Sequence, residues 1–233
     1  MNAMNDLEPL SQAQRYLAAT HEVINVSSEF ADVNLYDSDA ALREAVTREG
    51  AAGAHASLSA LGARIGAADY LELGVLANRN PPELDTHDRF GHRVDLVRFH
   101  PAYHALMKTS IEEGIHCTPW AAPGRGAHVE RAARFYLHSQ VEAGHGCPVT
   151  MSFAAVPTLR VEPGLAALWE PRVARRVYDP ANRPAEGKRG VTLGMAMTEK
   201  QGGSDVRANT TLAVPLGRDG PAEAYGRGGH QYF

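Results

Sequence analysis

The residues best equipped for chemistry form one run, Met195-Ala196-Met197-Thr198-Glu199-Lys200-Gln201-Gly202-Gly203-Ser204-Asp205. A short apolar stretch, Val191 to Met197, feeds a turn of small and polar residues. The Gly202-Gly203 pair lets the backbone approach a ligand closely and gives access to φ angles closed to other residues. Thr198 and Ser204 set a hydroxyl on either side. Together with exposed backbone N–H groups they make a cradle for an anion and a heteroaromatic ring, as a nucleotide cofactor requires. The run is not a dinucleotide fingerprint: no G-x-G-x-x-G follows a first strand, and no Walker lysine follows the glycines. A polar loop joining two strands would use the same residues without any ligand.

The other reactive side chains make weaker patterns. His100 and His104 stand four apart, a spacing that could turn two imidazoles toward one metal on a helix. The intervening glutamate of H-E-x-x-H is missing, and Pro101 leaves His100 ahead of the helix, so both read as structural. His116-Cys117 and Cys147 have no metal-ligand spacing, and no metal site is expected. Tyr103, Trp120, Phe135 and Tyr136 recur at helical intervals and read as core rather than as a stacking platform for bases. Ser110 and Ser152 sit in no nucleophile elbow.

These residues need elements to hold them, and the chain divides by character. Residues 1–34 read as an N-terminal extension with weak periodicity, a short helix at Ser11–Ala19 and an apolar stretch at Val23–Val26. Residues 35–190 read as a helical domain. Asp37, Ser38 and Asp39 offer caps to a helix striped by Ala41, Leu42, Ala45 and Val46, which Gly50 closes. Leu58, Leu61 and Ile65, then Leu71, Val75 and Leu76, continue the spacing until Asn80-Pro81-Pro82. Residues 83–98 read as a loop excursion or small hairpin. Pro101 opens a helix with Ala105, Leu106 and Ile111 on its apolar face. Val129, Ala132, Ala133, Tyr136, Leu137 and Val141 stripe the next. Pro148 starts one that is apolar nearly all round, as a buried helix is, and Leu165–Val177 makes the last. Beyond the loop Asp179–Gly190 the pattern becomes β: a strand at Val191–Met197, β-type residues at Thr210–Leu216, a turn at Gly217–Gly220 and a returning hairpin at Ala224–Phe233.

Bulk composition permits this and excludes other classes. With 44% hydrophobic and 21% charged residues the chain can build a core and is not of the disordered class. It has no apolar run of the roughly 18 residues a membrane span needs, and Asp6 and Glu8 stand where a signal peptide would be basic. Two cysteines make no disulfide framework. A cytoplasmic location is expected. The net charge of −4 is uneven. Arg172, Arg175, Arg176, Arg183, Lys188 and Arg189 gather in one stretch, where contact with nucleic-acid phosphates competes with the plainer reading of a solvated surface.

The run from Gly194 through Met197-Thr198-Glu199 to Gly203-Ser204-Asp205-Val206, followed by Asn209-Thr210-Thr211, resembles the flavin-binding signature of the acyl-CoA dehydrogenase family. More narrowly it resembles the AidB-like branch, proteins of the adaptive response to DNA alkylation related to isovaleryl-CoA dehydrogenase. Ala45–Gly50, Leu73-Gly74, Ala77-Asn78, Asn80–Leu84, Val97–Pro101, Ala132–Phe135 and Gln140–Gly144 agree with that branch, so the likeness runs from about Asn34 to Phe233.

The resemblance implies an α+β fold: an N-terminal all-α domain, then the opening strands (residues 191–233) of a truncated β-barrel domain, with a C-terminal helical bundle beyond the chain. It implies FAD, lined here by Met195, Ala196, Met197, Thr198, Glu199, Lys200, Gln201, Gly202, Gly203 and Ser204, with Phe233 at an aromatic position near the isoalloxazine. It implies an acyl-CoA substrate, isovaleryl-CoA-like, dehydrogenated at α,β, and homo-oligomers in the full-length protein. The family's catalytic base lies beyond residue 233, so no catalytic residue is expected here and Glu199 reads as structural. The alternative that the branch carries is a flavoprotein that binds double-stranded DNA, through the C-terminal region, and protects it.

Overall fold

The computed structural model describes residues 25–211 and the strand pairs at 225–226 and 230–231. The expected helix Ser11–Ala19, most of the β-type run after Thr211, the turn 217–220 and Phe233 lie outside the described residues. The chain divides after Phe30, and the unit from Ala31 onward carries the features below.

Asp39 caps helix α1 (Ala40–Arg48), its side chain accepting the Leu42 N–H at 2.8 Å. Helices α2 (His55–Ile65) and α3 (Ala68–Arg79) follow, and Leu58, Leu61 and Ile65 are buried as their spacing predicts. Helix α3 faces the core differently from expectation. Tyr70 and Gly74 are buried, Leu73 and Ala77 pack beside them, and Val75 is exposed. The cause is close approach: a Cβ on Gly74 would stand 2.3 Å from the Val141 carbonyl oxygen. The glycine, not the larger aliphatic row, admits the neighbouring backbone.

Residues 83–98 form an antiparallel hairpin, β1 (Glu83–His87) with β2 (Arg93–Arg98), Leu84 lying opposite Val97. Pro101 begins α4 (Pro101–Glu112), and His100 caps it by accepting the Ala102 N–H at its Nδ1. A single turn, α5 (Thr118–Ala121), leads through Gly126 into α6 (Ala127–Val141). Gly126 has φ +80°, and a Cβ there would meet the Gly50 carbonyl oxygen at 2.4 Å, so only glycine fits.

The expected stripe on α6 is half right. Ala133 and Leu137 are buried, but Ala132 and Tyr136 face outward and Arg134 and His138 take their places inside. Buried polar groups persist where they are bonded, and both are. Arg134 donates to Glu130 at 2.7 Å, to Ser57 at 2.9 Å and to Glu113. Helix α7 (Gly146–Leu159) buries Val149, Ser152, Ala155 and Val156 and is only partly covered elsewhere, so it is not buried all round. Pro157 has no N–H to give the Phe153 carbonyl, and Trp120 Nε1–H supplies the missing bond at 2.9 Å. Helix α8 (Pro163–Val173) is shorter than expected and buries Val173 alone. It stops where the Ala174 and Arg175 carbonyls are taken by the Cys117 thiol and by His116 Nε2.

One core cluster joins α1, α2, α4 and α6 through Val46, Leu58, Ile65, Leu106 and Leu137. A second, of Met107, Ile111, Ile115 and Val149 with Tyr103, Phe135 and Tyr178 against it, binds α4 to α7. After Gly190 the expected strand Val191–Met197 is not formed: those residues pair with no other strand among the described residues. The expected pairing of Ala224–Phe233 back across the 217–220 turn lies outside the described residues; within 224–233 a short hairpin forms instead, β3 (Tyr225–Gly226) antiparallel to β4 (His230–Gln231). The fold is therefore a helical domain followed by the opening strands of a β part.

Candidate functional site

The segment after Gly190 owes its position to helix α7. Leu193 N–H donates to Ser152 Oγ at 3.0 Å, and Met195 N–H meets Met151 Sδ at 3.2 Å. Bonds from alternate residues to one partner surface are the habit of an extended chain. A helix has no free backbone ladder to offer, so two of its side chains serve as acceptors instead. This is why the apolar run Val191–Met197 stays extended without becoming a strand.

Beyond Met197 the chain folds into a tight loop. Glu199 N–H donates to the Gly202 carbonyl at 2.9 Å, and Gly202 N–H returns to the Glu199 carbonyl at 3.2 Å, with Lys200 and Gln201 at the tip. Asn209 Nδ2 ties the loop back to the Met197 carbonyl at 2.6 Å. Glu199 is the inner clasp. Its Oε1 accepts the Thr210 and Thr211 N–H groups at 2.8 and 2.5 Å, and Gln201 donates to Oε2. Thr211 foremost, then Thr210 and Gln201, hold its carboxyl below the usual range against the smaller opposing effect of burial. The carboxylate is committed to two backbone N–H groups and holds the loop together from inside.

The glycine pair works differently from expectation. Among the described residues, glycines with positive φ are Gly50, Gly91, Gly114 and Gly126, so Gly202 and Gly203 need no left-handed backbone. A Cβ on Gly203 would lie 2.9 Å from Thr198 Cγ2 and 3.1 Å from its Oγ1, so Gly203 is small to let Thr198 fold over it. A Cβ on Gly202 would meet nothing within 4 Å, and the same holds at Gly194. The open side of the loop is thus bare backbone. Among the described residues no partner is found for the hydroxyls of Thr198 and Ser204 or for the N–H groups of Ala196, Thr198, Gly203 and Ser204. Met195 and Met197 are exposed apolar side chains on the same run. Unused donors beside exposed thioethers suit a flat ligand with acceptor atoms on its edge and an apolar face.

Two of the positioning residues, Met151 and Ser152, were not among those singled out in the sequence as ligand-facing. The signal was there for Ser152. A serine in the middle of an otherwise apolar helix must find a partner.

The remaining candidates resolve as structural. His100 is a helix cap, and His104 Nδ1 bonds the Tyr178 hydroxyl at 2.7 Å. Cys117 is buried and its thiol is pushed up to about 11 by burial, so it is no nucleophile. No cluster of three metal-ligating side chains occurs among the described residues. Part of the basic stretch bonds internally: Arg176 and Lys188 bond the Glu112 and Ala181 carbonyls, and Arg183 bonds Asp179. A cavity of about 790 Å³ opens beside α1 and α2, lined by Tyr36, Arg43, Glu44 and His55, and no residue of 195–204 touches it.

Comparison with known proteins decides the relationship. Residues 25–180 match the family described as the adaptive response protein AidB N-terminal domain. The chain belongs to this family. It is 49% identical over 216 residues to AidB of Escherichia coli (strain K12), covering 92% of this chain and 39% of AidB. The uncovered part is too short to reach back from the C-terminus to Ser204, so that likeness includes the loop. Identity to Acyl-CoA dehydrogenase family member 11 of Caenorhabditis elegans is 29%, over 76% of this chain and 28% of the worm protein. Among solved structures, the apo form of Bd2924 superposes with a TM-score of 0.66 at 28% identity, covering 80% of this chain and 37% of that one. The structure of C. elegans ACDH-11 in complex with C11-CoA superposes at 0.65 and 26% identity, over 84% and 34%. The chain thus spans about two fifths of the length of AidB, and its family is acyl-CoA dehydrogenase-like.

Proposed function

We propose that residues 195–204 form one wall of an FAD site, and that the chain contributes this wall to an acyl-CoA dehydrogenase-like oxidoreductase. The observation that carries the reading is the open face of the loop: bare backbone at Gly202, N–H and hydroxyl donors at Thr198 and Ser204 that have no partner among the described residues, and exposed Met195 and Met197, all braced from behind by α7. Thr198 and Ser204 would bond acceptor atoms on the edge of the flavin ring, and the methionines would pack on its face. Phe233 is carried as a further contact on family likeness alone. The bound flavin would supply the hydride acceptor for α,β-dehydrogenation of an acyl-CoA thioester. This chain's own part is binding and orientation. Glu199 is engaged by Thr210 and Thr211, so the α-proton would go to another base, which the family resemblance alone puts beyond residue 233.

The relatives support acyl-CoA as the substrate class, since ACDH-11 is known in complex with C11-CoA. The second reading, protection of DNA with dehydrogenation incidental, draws on the likeness to AidB, and the same flavin wall would serve it. The test is a chimera in which this chain replaces the matching region of E. coli AidB. It should bind FAD stoichiometrically, and isovaleryl-CoA or C11-CoA should bleach the flavin absorbance. A chimera that folds and stays colourless at saturating FAD would overturn the flavin reading. One that is yellow but bleached by neither thioester would favour the DNA reading, to be checked by binding to a double-stranded probe.

A further inference from the structure

Ser152 is fully buried on α7, and its hydroxyl proton is committed: it donates to the Pro148 carbonyl at 2.8 Å. The oxygen is left as an acceptor only, aimed at the Leu193 N–H at 3.0 Å. One residue earlier, Met151 presents its sulfur to the Met195 N–H. Thioethers are weak acceptors, so the hydroxyl is the stronger of the two tethers. The loop beyond has its own bonds, from Glu199 to Gly202 and from Asn209 to Met197, but these fix its internal shape. Among the described residues, the hydrogen bonds that seat residues 193–211 against the helical domain are those at Leu193 and Met195. A shift of one residue would place the Gly194 N–H on Ser152 and turn every side chain from Val191 to Thr198 to the opposite face.

We propose that Ser152 is a positioning residue: its hydroxyl sets the register of residues 193–197 on α7, and thereby which backbone donors and side chains the loop turns to its ligand. This rests on the flavin reading for the identity of the ligand, and on nothing outside the helical domain for the register itself. The two parts can be tested separately.

Amide hydrogen exchange in this chain reads the register without any flavin. Ser152→Ala should speed exchange at Leu193 and Met195 by tenfold or more, leave Leu106 and Leu137 in the core unchanged, and be reversed by Ser152→Thr, which keeps the hydroxyl. Unchanged exchange at Leu193 in Ser152→Ala would overturn the proposal. In the chimera with E. coli AidB, FAD affinity should fall at least tenfold in Ser152→Ala and recover in Ser152→Thr, with a shift of the bound flavin's absorption bands in the former. Faster exchange with FAD affinity and bands unchanged would refute the positioning role toward the ligand. A parent chimera that binds no FAD would sink the flavin reading, while the exchange result would still judge the register.

Discussion

His145 Nδ1 stands 2.8 Å from Glu142 Oε2, and this one contact orders a buried chain of four polar side chains. Glu142 also accepts the His145 and Gly144 N–H groups at 2.7 and 2.5 Å. Burial would raise its carboxyl, but these bonds outweigh burial and hold it low, so it is a carboxylate that only accepts. His145 must then donate from Nδ1 and accept at Nε2, which lies 3.0 Å from both Ser110 Oγ and His138 Nδ1. His138 therefore carries its proton on Nδ1, and its buried Nε2 has no partner among the described residues.

That arrangement needs neutral imidazoles. Burial lowers His138 to about 3 and His116 to about 4, and it lowers His145 despite the pull of Glu142. Unfolded histidines take protons near pH 6.5 and these do not, so stability is full above that pH and drains away below it. Between pH 7 and pH 5 His138 and His116 should each cost about 1–2 kcal/mol. Urea midpoints across that range measure it. His138→Asn keeps a donor near Nδ1 but cannot titrate, and it should flatten the curve by about one proton. An unchanged slope would show that His138 is protonated in the fold.

Arg134 offers a second stability test. Its guanidinium is nine-tenths buried and bridges α6 to Ser57 of α2 and to Glu113 after α4. Removing one partner of a buried pair leaves the other uncompensated, at about 3–5 kcal/mol. Arg134→Ala should lose an amount of that order in urea unfolding. Arg134→Lys should recover only part, because one ammonium cannot reach three directions at once. A loss below about 1 kcal/mol for alanine would place Arg134 with ordinary surface pairs.

The sequence announced the caps, the turns and the small-residue loop, because each depends on a few adjacent residues: Asp39, Pro101, the Pro81-Pro82 stop, the run from Thr198 to Ser204. It misplaced the faces of α3 and α6. There the deciding partners are distant in sequence: Val141 against Gly74, and Ser57 and Glu113 around Arg134. It also expected a strand at 191–197. Composition does favour extended backbone there, but whether an extended run becomes a strand depends on what lies beside it, and here that is α7 with Met151 and Ser152.

The glycine pair separates ligand effects from folding effects. Gly203 is hemmed in by Thr198, so Gly203→Val should disturb the loop even without a ligand. Gly202 has open space and ordinary φ, so Gly202→Val should leave stability within about 0.5 kcal/mol. If a flavin packs on that bare backbone, FAD affinity in the chimera should nevertheless fall at least tenfold, about 1.4 kcal/mol. Gly124→Val, at a glycine outside the loop where an added Cβ also meets nothing within 4 Å, serves as the control. Equal and small effects at Gly202 and Gly124 would mean that the open side of the loop faces solvent.

The last test asks whether Glu199 clasps the loop or does chemistry. As a clasp, its carboxylate is valuable for the two N–H groups it accepts from Thr210 and Thr211. Glu199→Gln retains an acceptor oxygen and should lower FAD affinity in the chimera by no more than about threefold, roughly 0.6 kcal/mol. Glu199→Ala leaves both N–H groups unmet and should lower affinity tenfold or more, with faster amide exchange at Thr210 and Thr211. In both variants the rate of flavin reduction by acyl-CoA, taken per bound flavin, should stay within a few fold of the parent. A general base behaves in the opposite way. Glutamine cannot take a proton, so Glu199→Gln would then cut the reduction rate by about 10²–10⁴ with FAD affinity intact. The two roles thus predict opposite splits between affinity and rate in one conservative variant; an FAD titration reads the first and rapid-mixing absorbance at saturating FAD the second.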